Sequence, residues 1–175
     1  MTSPLPRQTQ APVITEGLNH WFGEGEARKQ ALYDVTLSIE RGSLTVLMGP
    51  SGSGKTTLLT LMGCLRDVQD GRVCLLGSEL NGADNNTLVR SRRKLGFIFQ
   101  AHNLHESLTA LQNVRMGLEV HGRKAMTNWR EAASRVLTIL GLEDRMGYLP
   151  GNLSGGQKQR VAVARVGWKP GDCFC

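Results

Sequence analysis

The residues best equipped for chemistry form one run, Gly49-Pro50-Ser51-Gly52-Ser53-Gly54-Lys55-Thr56, followed directly by Thr57. The run satisfies G-x-x-x-x-G-K-[ST], the pattern of a loop that cradles phosphate. Gly52 and Gly54 permit the tight curl that turns several backbone N–H groups inward. A helix starting near Lys55 adds the positive end of its dipole at the same point. Lys55 supplies an ammonium for β- and γ-phosphates, and Thr56 a hydroxyl able to ligate Mg²⁺. The competing reading is an ordinary glycine-rich turn. Context argues against it, because a nearly all-apolar segment, Leu44–Met48, precedes the loop and a helical stretch, Thr56–Met62, follows.

A second run, Leu153-Ser154-Gly155-Gly156-Gln157, lies much further along. Ser154 can cap a helix that continues through Ala164. The two glycines in its first turn bare further N–H groups, so this is another candidate anion site. Alone, the run equally fits a surface loop ahead of a helix. Cys64, Cys74, Cys173 and Cys175 show no metal-ligand spacing and read as reduced thiols.

These groups need a frame. Val35, Leu37 and Ile39 alternate with Thr36 and Ser38, which predicts a strand with one solvated face. A turn at Glu40-Arg41-Gly42 leads into Leu44–Met48, whose composition predicts a strand buried on both faces of a parallel sheet. Val73–Leu76 and Phe97–Phe99 predict two further short strands. Between them Arg90, Arg92, Arg93 and Lys94 form a basic run, read as a solvated helix face. Trp129, Ala132, Ala133, Val136, Leu137 and Leu140 fall on one face of an α-helix, with Trp129 a core residue. Asn128 with Glu131 predicts its N-terminal cap and Gly141 its end. Pro4, Pro6 and Pro12 mark residues 1–12 as a flexible leader. No internal repeat is visible.

Composition bounds the answer. The chain has 175 residues, 40% apolar and 21% charged, which suits one globular domain and excludes a wholly disordered chain. Its longest apolar runs, Val73–Leu76 and Val161–Ala164, are too short for a membrane-spanning helix or a signal-peptide core. A cytoplasmic location is expected. The net charge of +6 fits a phosphate-rich ligand, anionic lipid, nucleic acid or simply a basic surface. Aromatics at 5% argue against a stacking platform for single strands, and no nucleic-acid partner is expected.

The two motifs, in this order, resemble the ATP-binding subunit of an ABC transporter, over Val13 to Arg165. The segments LNHWFGEGEARKQALYDV, GPSGSGKTTLLTLMGCLRDVQDG, FIFQAHNL and NLSGGQKQRVAVAR are most similar to the cyanobacterial DevA-type exporter ATPases, relatives of MacB and LolD. The resemblance implies an α/β P-loop NTPase fold. It has a mostly parallel sheet, an N-terminal antiparallel β part and a helical subdomain over roughly residues 101–160. It implies ATP at Gly49, Pro50, Ser51, Gly52, Ser53, Gly54, Lys55, Thr56 and Thr57. Mg²⁺ is implied at Thr56 and at Gln100, which ends Phe97-Ile98-Phe99-Gln100 and would also face the attacking water. Ala101–Ala110 would face a membrane permease. Phe22, or as second choice Trp21, would lie against the adenine ring; the alternative for Phe22 is a core aromatic. Two subunits would pack head to tail, with Leu153, Ser154, Gly155, Gly156 and Gln157 of one closing over the γ-phosphate held by the other. ATP hydrolysis would then drive export through the permease, peripherally on the cytoplasmic membrane face.

After Arg165 the family continues into an apolar strand ending in Asp-Glu and then a switch histidine. This chain instead reads Val166-Gly167-Trp168-Lys169-Pro170-Gly171-Asp172-Cys173-Phe174-Cys175. Gly167 and Pro170 break a helix. Residues 13–165 are therefore read as a C-terminally truncated ATP-binding domain and 166–175 as an aberrant tail. The metal-positioning Asp, the general-base Glu and the histidine are missing, and none of His20, His102, His105 or His121 fits the last role. The absent strand would pair beside Leu44–Met48, so an unpaired apolar edge is expected there. Two alternatives stand beside the transporter reading. One is a module that binds ATP without hydrolysing it, in which Glu106 and Glu119 are the carboxylates to test should turnover occur. The other is a different P-loop kinase or GTPase, which leaves Ser154–Gln157 unexplained and lacks a guanine-specificity motif.

Overall fold

A computed structural model describes residues 11–99, 101–119, 127–166 and 173–174. They fall into two units, Met1–Arg92 and Arg93–Cys175.

The first unit is built on a β-hairpin. Strand β1 (Val13–Phe22) pairs antiparallel with β2 (Lys29–Ile39) on one side and with β3 (Asp70–Leu75) on the other, and β3 pairs with the short β4 (Ser78–Glu79). Along β1 the buried residues are Val13 and Thr15, then Leu18 and His20, so the inward phase switches between them. The switch coincides with a register shift between Thr15 and Leu18 and with positive φ at Gly17 and, on β2, Asp34. It is a β-bulge, where the ladder is locally interrupted and the strand bends, so the inward-facing phase changes. Thr15 is buried but satisfied, its hydroxyl donating to the Val35 carbonyl at 3.1 Å and accepting from Leu37 N–H at 3.2 Å. Helix α1 (Lys55–Met62) buries Leu58, Leu61 and Met62. Helix α2 (Asn85–Arg92) carries Arg90 and Arg92 near its end, as the basic run predicts. Its start is held by Asp84, whose carboxylate accepts from Thr87 N–H at 2.9 Å. Cys64 and Cys74 are buried free thiols, and burial pushes both thiols above their ordinary range.

Three strand expectations need correction. Leu44–Met48 carries no regular secondary structure, and Leu44, Val46 and Met48 are 92%, 68% and 87% exposed. An all-apolar run becomes a buried strand only if ladders form on its flanks, and among the described residues nothing pairs with it. The buried strand is therefore absent and with it the sheet edge expected there; an exposed apolar segment without strand structure takes its place. Correspondingly, the parallel pairing among the described residues is confined to β5 (Leu95–Gly96) with β6 (Cys173–Phe174) in the second unit. Val73–Leu75 do lie in β3, but Leu76 leaves it with a φ of 47° to turn toward β4. Phe97–Phe99 follow β5 instead of forming a strand, their Phe97 and Phe99 rings packing on each other at 4.7 Å.

The second unit is helical. Helices α3 (Ala110–Glu119), α4 (Trp129–Ile139) and α5 (Gly155–Val166) share a core that includes Val114, Leu118, Leu137, Leu142 and Val161. Burying each leucine fully is worth about 1.5–3 kcal/mol. Helices α3 and α5 cross closely at Gly117, where any Cβ would collide with the Arg165 carbonyl. On α4 the predicted face is right, and Trp129 packs at the margin of the core with the Arg115 and Arg130 guanidinium groups over its ring at 5.0 and 5.3 Å. The predicted cap is not made. Asn128 has φ −123° and ψ 35°, outside the extended region a capping residue adopts, and Glu131 pairs instead with Arg135 at 3.0 Å. Gly141 does end the helix, with φ 66°.

Candidate functional site

The phosphate-loop sequence folds as a sharp turn against β2. Ser53 N–H bonds the Pro50 carbonyl at 3.3 Å, and Gly54 then takes a left-handed conformation with φ 84°. A Cβ on Gly54 would lie 2.6 Å from the Ala31 carbonyl oxygen and 2.7 Å from Leu32 Cδ2. Only glycine fits there, so the loop's position on β2 follows from one residue type. Helix α1 opens at Lys55 with no side-chain cap, and its first intrahelical bond runs from Leu58 N–H to the Gly54 carbonyl at 2.8 Å. The N–H groups of Lys55, Thr56 and Thr57 precede that bond and have no acceptor within the helix. Lys55 Nζ donates to the Gly49 carbonyl at 2.8 Å, the Pro50 carbonyl at 2.7 Å and Ser53 Oγ at 3.1 Å. All three ammonium donors are thereby aimed into the loop. Pro50, Ser51, Gly52, Ser53 and Thr56 line its outer side, with all but the half-buried Gly54 and Lys55 end of the turn open to solvent.

The end of β1 lies next to this loop in the same unit. Phe22 pairs with Lys29, two residues before the Ala31 that backs Gly54. It is 38% exposed, which excludes the core-aromatic alternative. The His20 ring meets it edge-on, with centroids 4.9 Å apart, and the Arg66 guanidinium lies over it at 4.9 Å. His20 itself is buried, and its Nδ1 has no partner. Burial, reinforced by the Arg66 charge, holds its pKa below the ordinary histidine value. Trp21 is half-buried, has Arg28 over its ring at 4.7 Å, and exchanges both backbone bonds with the Gln69 side chain, at 2.8 and 3.1 Å.

The other motif belongs to the second unit. Ser154 Oγ accepts from Gln157 N–H at 3.3 Å while Gln157 Oε1 accepts from Ser154 N–H at 2.8 Å, a reciprocal capping box at the start of α5. Ser154 is the predicted cap, and Gln157 is its unpredicted partner. Gly155 and Gly156 are exposed with open space where a Cβ would stand, while Leu153 is buried beneath them. Gln100 lies outside the described residues. The segment after it is held by two residues that sequence reasoning missed. Asn113, fully buried, accepts from His105 N–H at 2.8 Å and donates to the carbonyls of His105, Leu108 and Thr109. Arg165 donates to the carbonyls of Asn103 at 2.6 Å and His102 at 3.0 Å, and both of those residues have positive φ. A signal for Asn113 existed: it is a polar residue on the apolar face made by Ala110, Val114 and Leu118. Arg165 and Arg66 gave none, since their partners are distant in sequence or unremarkable in type.

Known proteins match this arrangement. The sequence profile described as ABC transporter matches residues 32–173. The macrolide export ATP-binding/permease protein MacB of Hyphomonas neptunium is 40% identical over 167 residues, covering 95% of this chain and 25% of that protein. The lipoprotein-releasing system ATP-binding protein LolD 2 of Rhodospirillum rubrum is 42% identical over 167 residues, covering 95% of this chain and 69% of that one. The chain thus spans a quarter of its MacB relative. Among solved structures, the dimeric ATP-binding cassette MJ0796 bound to ADP and Pi superposes with a TM-score of 0.81 at 40% identity, over 88% of this chain and 68% of that one. With the same α/β P-loop fold, a profile match across most of its length and relatives at this level of identity, the chain belongs to the ABC transporter family.

Proposed function

We propose that this chain is the ATP-binding subunit of an exporter, using ATP to drive a membrane permease. The observation that carries the reading is the start of α1, where an uncapped helix opens behind a left-handed glycine and Lys55 directs its ammonium into the same loop. A triphosphate offers acceptors for all of these donors, and Lys55 exchanges loop carbonyls for β- and γ-phosphate oxygens. Gly49–Thr57 form the cradle. Phe22 offers an exposed ring beside it for the adenine.

Mg²⁺ fits this donor set as a hard cation taking oxygen ligands. The exposed Thr56 hydroxyl would hold it, together with phosphate oxygens and the Gln100 side chain. When bound, the ion neutralises charge on the transferring phosphoryl group. Among the described residues no cluster of His, Cys, Asp or Glu offers another metal site.

The exposed turn at Ser154–Gly156 serves the nucleotide of a second copy, packed head to tail, with Gln157 fixing it from behind. The dimeric MJ0796 cassette supports that reading, and MacB, named as both ATP-binding protein and permease, supports the membrane partner. Among the described residues no helix is long and apolar enough to cross a membrane. The permease then places the chain at the cytoplasmic face, with the 101–110 segment toward it.

The direct test is Lys55→Ala. Removing the charge-assisted bonds to the phosphates lowers ATP affinity about ten- to a hundredfold. Equal affinity by calorimetry refutes the cradle. Gly155→Asp tests the second turn separately: it abolishes ATP-dependent dimerisation in sedimentation while monomer binding persists, and normal dimerisation refutes the role in trans.

A further inference from the structure

Helix α1 joins two places that a nucleotide would use. It starts at the phosphate loop and ends at Met62, and Leu65 N–H bonds back to the Thr60 carbonyl at 2.8 Å to close its last turn. The next residue, Arg66, brings its guanidinium 4.9 Å from the centre of the Phe22 ring. The segment cannot drift freely, because Gln69 bonds both the N–H and the carbonyl of Trp21, the neighbour of Phe22. The exposed aromatic beside the cradle therefore already holds a planar cation on its face, and His20 packs edge-on to the same ring.

We propose that Arg66 sets the affinity for the base by competing with it for Phe22. With His20 already packed edge-on against the ring, the stacking proposed here uses the face that the guanidinium covers, so the base binds as Arg66 swings aside. The base thereby displaces one exposed cation–π pair, a modest opposing effect that acts on the base alone. Arg66 is thus a positioning residue that lowers the share of binding contributed by the base relative to the triphosphate. This rests on the reading of Gly49–Thr57 as the phosphate cradle and of Phe22 as the stacking ring.

The test compares affinities of the full chain for ATP and for inorganic tripolyphosphate by calorimetry. Arg66 is exposed, so Arg66→Ala should fold normally, with thermal unfolding as the check. Removing its positive charge weakens both ligands through their phosphates, whereas freeing the ring favours ATP only. The ratio of ATP to tripolyphosphate affinity therefore rises about two- to fivefold. Arg66→Lys keeps the charge and loses the planar stack, and it raises the same ratio by a smaller factor. A ratio that stays constant or falls in Arg66→Ala overturns the proposal; a fall means that the guanidinium sandwiches the base instead. Lys55→Ala in the same assay separates the two readings. If it leaves tripolyphosphate binding unchanged, the cradle itself is wrong and the Arg66 proposal falls with it. If it weakens tripolyphosphate binding and Arg66→Ala leaves the ratio unchanged, only the Arg66 proposal is overturned.

Discussion

Helices α1 and α5 both begin on a glycine-containing turn, yet their first turns are satisfied in opposite ways. At α5 the chain caps itself, with Ser154 and Gln157 each accepting the other's backbone N–H. At α1 there is no capping side chain, and a left-handed Gly54 pressed onto β2 leaves the leading N–H groups without acceptors in the helix. The glycines differ as well. Gly54 is required by its φ and by its close neighbours, whereas Gly155 and Gly156 face open space and are required by nothing inside their own unit. A glycine kept where alanine would suit the helix better points outward, to something that must approach the backbone closely. The first turn leaves donors open within its own unit and the second satisfies itself, and under the proposed function the first takes an anion and the second a contact from another copy.

That contrast can be broken most sharply at Gly54. Gly54→Ala combines a strained φ with collision against the Ala31 carbonyl, and should destabilise the chain by roughly 2–4 kcal/mol in urea unfolding. A loss below about 1 kcal/mol would show that β2 does not fix the loop. Ser154→Ala removes one half of the capping box and should cost about 1 kcal/mol. Adding Gln157→Ala should cost less than the sum of the single changes, because the two bonds are reciprocal. Strict additivity would mean that the box does not act as a unit.

Gly155→Ala should have the opposite sign to Gly54→Ala, stabilising the isolated chain by about 0.5 kcal/mol through reduced backbone entropy in a helical position. Destabilisation there would place an unseen constraint on the turn. The smallest effect concerns His20, beneath the hairpin that backs the cradle. Its folded pKa lies below the ordinary 6.5 because of burial and then the Arg66 charge. As pH falls through 6.5 the unfolded chain takes up the proton first, so the stability present above that pH declines below it. His20→Leu should reduce the difference in stability between about pH 7.5 and about pH 5.5. An unchanged difference would assign the decline to other groups.

Much of this was legible without coordinates, and the divide is physical. Local chemistry wrote itself into local sequence: the phosphate loop, the Ser154 cap, the α4 face and the Gly141 terminus depend on residues within one or two turns of each other. The strand at Leu44–Met48 failed because a strand exists through its neighbours, and an apolar composition records only the wish for them. Phe97–Phe99 and the Asn128 cap failed in the same way, one displaced by pairing at Leu95–Gly96 and the other by backbone angles and the Glu131–Arg135 pair.

Sequence alone determined the identity of the family and the chemistry to propose for it, because its motifs are particular residue types at fixed short spacing. Tertiary structure alone decided what surrounds those residues. It set Gly54 against β2, turned Phe22 outward beneath Arg66, buried Asn113 as the holder of the 105–109 turn, and tied Arg165 to His102 and Asn103. Each of those contacts depends on chain closure over many residues, whose entropy is offset by burial in the whole unit rather than by anything written at the two ends of the contact.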